Sequence, residues 1–142
     1  MPSLKSVRDV PGQRSTDGHF GHVSADMPPA LLRLAERVQL ARAARPRHFS
    51  PNLFGEPGWD MMLALYVAHG RGYRMTVTEV CFESRVPQTT ALRWLEHMES
   101  AGMAERRPNA LDRRTALISI TNTGLATMTA YLQELALILS RE

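Results

Sequence analysis

The chain of 142 residues is long enough for one domain with a core that needs neither disulfides nor a structural metal. Apolar residues make up 44%, as in ordinary globular proteins, and the net charge is +3. The longest apolar run, Met61 to Ala68, is far short of the ~20 residues of a membrane span, and the first residues lack the apolar stretch of a secretory signal. The only cysteine, Cys81, excludes an intrachain disulfide and suits a reducing cytosol. The cations are lopsided: sixteen arginines stand against one lysine, Lys5. GC-rich codon usage produces that skew, and so does selection for phosphate and guanine recognition, because arginine offers a planar fork of donors.

Residues 1–26 are rich in Pro, Gly, Ser and Asp and poor in large apolar groups, so a disordered tail is expected. Its His19 and His22 lack further ligands at metal-binding spacing and are read as plain tail residues. The globular part is expected over 27–142. Leu31, Leu34, Val38 and Ala41 predict a helix over 30–45, ended by Pro46, with Leu32, Ala35 and Ala44 widening its stripe. Arg33, Arg37, Arg42 and Arg45 are read as its solvated face. Pro and Gly mark 46–58 as a linker. Trp59, Met62, Leu63 and Tyr66 then predict a second, core-facing helix ended by Gly70 and Gly72.

Thr76-Val77-Thr78-Glu79 reads as a capping box opening a short helix to about Ser84, with Val77, Val80 and Cys81 inward. After the turn Arg85-Val86-Pro87, a further helix runs from Gln88 to Ala101, with Ala91, Trp94, Leu95 and Met98 on its inner face and Gly102 as the stop. Such a pair, over about 76–102, is helix-turn-helix geometry. Gln88, Thr89, Thr90 and Arg93 give the second helix a polar edge of the kind that bonds base edges and phosphates. Two strand-like stretches follow over about 104–120, broken by Pro108, Asn109 and Asp112. They predict a basic hairpin carrying Arg106, Arg107, Asp112, Arg113 and Arg114, with Asp112 holding an arginine in place. A hairpin in that position is a wing, whose tip arginines suit a narrow minor groove. Leu125, Met128, Leu132, Leu135 and Leu139 predict one amphipathic terminal helix over about 121–141.

From Thr76 to Gly124 the chain resembles the multiple-antibiotic-resistance regulator (MarR) family of bacterial transcription factors. The residues that carry the likeness are Gln88-Thr89-Thr90-Ala91 with Arg93, Glu99 to Gly102, Arg106-Arg107-Pro108, Asp112-Arg113-Arg114, and Ile120-Thr121 with Gly124. The resemblance implies a mainly α winged helix-turn-helix with a small β-hairpin wing and flanking helices for dimerisation. It places minor-groove insertion on Arg114. The sequence departs from the family at Leu92, where a small polar residue is usual; Leu92 either contacts a thymine methyl or packs. It departs again after the wing, where Thr121–Glu142 supplies a single helix. Dimerisation then falls to this helix and the one over 30–45. The expectation is that no effector pocket lies between that region and the DNA-binding lobe, a cleft beside Trp59, Met62 and Tyr66 being the alternative.

The histidines (His19, His22, His48, His69 and His97) show no metal-ligand spacing, and Gly70-Arg71-Gly72 is no phosphate loop. Cys81 is read as a small core residue rather than a redox sensor. No enzyme, cofactor or metal is expected. The reading is a cytoplasmic, nucleoid-associated regulator that binds a palindromic operator in double-stranded DNA as a homodimer, as a repressor. A winged-helix protein-interaction module without sequence-specific DNA binding is the alternative. Wing arginines favour DNA.

Overall fold

The computed structural model describes residues 26–50 and 53–141. The expected tail, with His19 and His22, therefore lies outside the described residues except for Asp26, whose carboxylate meets His69 Nε2 at 3.0 Å. Helix α1 spans Pro29–Ala44, and a single 3-10 turn, Arg45–Arg47, extends it past the expected stop. Pro46 is accommodated there because the first turn of a helix has no use for its missing N–H. Helix α2 spans Pro57–Arg71 and starts inside the expected linker. Gly70 stays helical; the helix ends at Gly72, which adopts the left-handed φ of 71°. Strand β1 is Met75–Thr76, α3 is Val77–Glu83, α4 is Gln88–Ser100, β2 is Ala104–Pro108, β3 is Ala116–Ile120 and α5 is Asn122–Ser140.

The strands form an antiparallel sheet in the order β1-β3-β2, with Met75 opposite Ile118 and Ala104 opposite Ile120. Strand β1 is an addition to the expected hairpin; two residues carry no period for a sequence to display. It ties the start of the helix-turn-helix to the wing's base.

The core gathers Leu31, Leu32 and Ala35 of α1, Met61 to Tyr66 of α2, Val80, Leu95, Ile118 and Leu132. Leu63, Leu95 and Leu132 are fully enclosed, each worth about 1.5–3 kcal/mol of burial. The cleft envisaged beside Trp59, Met62 and Tyr66 is packed. Tyr66 is fully buried with its hydroxyl 3.4 Å from that of Thr129, and Trp59 meets Tyr131 edge to face at 5.4 Å.

Three side chains sit against expectation. Arg42 is buried, while Ala41, expected in the stripe, is exposed. Arg42 continues the line of buried Leu31 and Ala35 and half-buried Val38 at helical spacing. Its Nε donates to Asp60 Oδ1 at 2.5 Å and its Nη1 to Glu56 Oε1 at 2.7 Å. Burial works against its charge, but the two hydrogen bonds and both negative charges outweigh it and raise the pKa. Trp94, expected inside, is 39% exposed. The first turn of α2 covers one side of it, where a side chain on Gly58 would start 3.2 Å from the indole, and the His97 ring meets it edge to face at 5.7 Å.

Candidate nucleic-acid interface

Thr76 and Glu79 close the capping box in both directions: the Glu79 N–H donates to Thr76 Oγ1 at 3.1 Å, and the Thr76 N–H donates to Glu79 Oε1 at 2.9 Å. This fixes where α3 begins. Its end is set by Ser84, which is buried and donates to the Cys81 carbonyl, and by Arg85 in the left-handed region at φ 63°. The chain thus turns sharply into Pro87, and α4 starts at Gln88. Ala91, Leu95 and Met98 of α4 face the core.

The outer face of α4 presents Gln88, Thr89, Thr90 and Arg93, all exposed, with Leu92 half-buried between them. Pro87 at the N-cap offers no side-chain cap, so among the described residues the first-turn N–H groups beside these side chains, at the positive end of the helix dipole, are left uncapped there. At the other end Gly102, at φ 77°, lets the chain reverse, and the Met103 N–H reaches back to the Met98 carbonyl at 2.9 Å.

That reversal is joined to α5. Thr121 caps α5 by accepting from the Gly124 N–H at 2.9 Å, and its hydroxyl donates to the Gly102 carbonyl. A Cβ on Gly124 would lie 2.3 Å from the Met103 carbonyl oxygen, so only glycine fits.

The hairpin tip is braced from within. Asn109 donates to Thr115 Oγ1 at 3.0 Å and accepts from the Leu111 N–H at 3.0 Å. Asp112 accepts from Arg114 at its backbone N–H and at both Nε and Nη2, at 3.0–3.3 Å. These bonds, the side-chain one first, hold the Asp112 pKa below the usual carboxylate range. Arg114 keeps 88% of its side chain in solvent while so held. Arg113 beside it is exposed and has no ion pair among the described residues.

The four expected wing arginines are therefore not equivalent. Arg113 and Arg114 project at the tip. Arg106 turns back from β2 and grips Glu99 of α4 through two bonds of 2.9 Å, which lower the Glu99 pKa and raise that of Arg106. Arg107 pairs along its own strand with Glu105 at 3.0 Å. Cys81 is buried in α3, and burial pushes its thiol pKa up. Among the described residues no group of three or more His, Cys, Asp or Glu side chains is placed to hold a metal, and no helix is long and apolar enough to cross a membrane.

A helix pair, a three-stranded sheet with a protruding basic hairpin, and helices flanking both decide the architecture. The fold is a winged helix-turn-helix, shared with the solved structures of AF1382 and MepR. The protein AF1382 of Archaeoglobus fulgidus matches at 18% identity and TM-score 0.51, over 63% of this chain and 94% of its own. The DNA complex of MepR from S. aureus matches at 14% identity and TM-score 0.52, over 78% of this chain and 84% of that one. A MarR variant from E. coli complexed with operator DNA matches at 18% identity and TM-score 0.46, over 93% and 78%. No protein-family model and no curated protein matches the chain. In winged-helix terms α4 is the recognition helix and β2–β3 the wing.

Proposed function

We propose that this protein is a sequence-specific DNA-binding transcription regulator. One observation carries the reading. The uncapped, polar first turns of α4 stand beside a hairpin whose tip holds two exposed arginines, one of them oriented by a carboxylate. Helix first turns of this kind enter the major groove, and tip arginines suit the minor groove. MepR, with the same fold, is seen in complex with DNA.

Gln88, Thr89, Thr90 and Arg93 carry base readout in this proposal, and Arg113 and Arg114 enter the minor groove. Arg107 contributes positive potential, Asp112 orients Arg114, and Arg106 positions the wing. The residues over 27–142 act as one DNA-binding domain. It works as a homodimer on a palindromic operator, its recognition helices about one helical turn apart. Dimerisation uses α1 and α5, on which Leu40, Leu137, Ile138 and Leu139 are exposed. Occupancy of the operator represses by covering a promoter.

The test is selection from random-sequence duplex at fixed salt, followed by sequencing of the retained fraction. An inverted repeat with half-sites about ten base pairs apart is expected. Retention without sequence enrichment contradicts the proposal.

A further inference from the structure

The tip of the wing carries a side chain for which base readout and charge have no use. Leu111 is 93% exposed, the most exposed of the large apolar residues described. The loop that holds it is braced. The Leu111 N–H donates to Asn109 Oδ1 at 3.0 Å, and Asn109 Nδ2 donates to Thr115 Oγ1 at 3.0 Å. The Asp112 N–H returns to the Asn109 carbonyl at 3.2 Å. These bonds fix the backbone on both sides of the leucine, at the turn between β2 and β3. A leucine held out on a braced turn, with none of its own fold to cover it, is presented to something else.

Its neighbours narrow what that is. Arg113 and Arg114 follow at two and three residues, both exposed, and Asp112 between them and the leucine is already engaged by Arg114. The tip thus surrounds one apolar group with positive charge, which suits phosphates. A protein partner is a poor fit, because one leucine on a tight turn supplies little of the ~1,200–2,000 Å² that a stable interface buries.

In a minor groove a leucine has two places to lie. Along the floor it covers base acceptors without bonding them, which is unfavourable. Between two base pairs it meets the apolar faces of the stack. Leucine is among the side chains that part a base step in this way, and pyrimidine–purine steps part most readily.

We propose that Leu111 is a wedge that enters a base step from the minor groove and kinks the duplex there. The inference rests on the DNA reading and deepens it: α4 reads base edges, and the wing reads how easily a step deforms. Arg113 and Arg114 bring the tip to the groove, and Leu111 sets which step it accepts.

The experiment runs selection from random-sequence duplex in parallel with the wild-type chain and with Leu111→Ala. Both are expected to enrich the same bases under α4. The wild type alone is expected to enrich a TA or CA step where the wing lands. On the duplex enriched by the wild type, replacing that step with the stiffer AA is expected to weaken the wild type about tenfold and Leu111→Ala less than about threefold. Donor and acceptor dyes at the two ends of this duplex report the bend. A kink of about 20–90° is expected with the wild type and with Leu111→Met, and a clearly smaller one with Leu111→Ala. Thermal melts of the three proteins are expected to coincide, because this side chain is not packed in the fold. An identical motif or an identical bend for wild type and Leu111→Ala overturns the wedge and leaves the DNA reading standing. No enrichment by either protein overturns the DNA reading, and the wedge with it.

Discussion

Glu99 and Arg106 are joined by two parallel hydrogen bonds of 2.9 Å, from the last turns of the recognition helix to the first wing strand. The pair ties together the helix and the strand that the proposed function sends to DNA. Both side chains are part-exposed, so its worth is the ~0.2–1 kcal/mol of a surface pair, and its effect is geometric. Glu99→Gln is expected to weaken binding to the selected operator more than to random duplex. An equal loss on both contradicts the positioning role.

The same pair responds to acid. The folded-state pKa of Glu99 is lowered by Arg106, so its contribution is complete above the ordinary carboxylate range and is lost as pH falls through the folded value. The melting-temperature gap between wild type and Glu99→Gln is expected to narrow as pH falls from neutral through and below the ordinary carboxylate range. A gap that persists or widens in acid runs against it.

Arg114→Ala is expected to cost about 1–3 kcal/mol of operator binding. Arg71→Ala is expected to cost little, because Arg71 is clasped by Glu36 at 2.7 Å on the α1–α2 side. Gel-shift titrations at one salt concentration compare them, and equal affinities would remove the tip from the interface.

Arg42→Met leaves Asp60, whose side chain is 14% exposed, without its cation. Breaking a buried pair costs about 3–5 kcal/mol; since Glu56 stays in water, a loss of about 2–3 kcal/mol is expected in urea unfolding. Unchanged stability counts against Arg42 as an internal tie.

Leu137→Asp combined with Leu139→Asp is expected to give a folded monomer by light scattering where the parent is a dimer. Both leucines are about 60% exposed in the single chain, so the change leaves its core intact. A dimer that survives both charges moves the interface elsewhere.

Much of this structure is legible in the chain because its signals are local. Thr76 and Glu79 are three residues apart, and Gly102 and Pro87 punctuate α4 directly. The hairpin and the Asp112–Arg114 bond likewise rest on neighbours. What escaped depends on distant partners. Arg42 reads as a solvated cation until Asp60, eighteen residues on, is seen beside it. Trp94 reads as core because nothing in its own helix reveals how little of an indole the first turn of α2 can cover. Arg106 reads as a free wing cation until the strand turns its guanidinium back onto Glu99.

The contact between Gly124 and Met103 leaves no slack at the root of the wing. With room for a hydrogen but not a methyl, the first turn of α5 sits directly on the chain leaving α4. The helix proposed for dimerisation and the helix proposed for base readout thus meet at a single glycine.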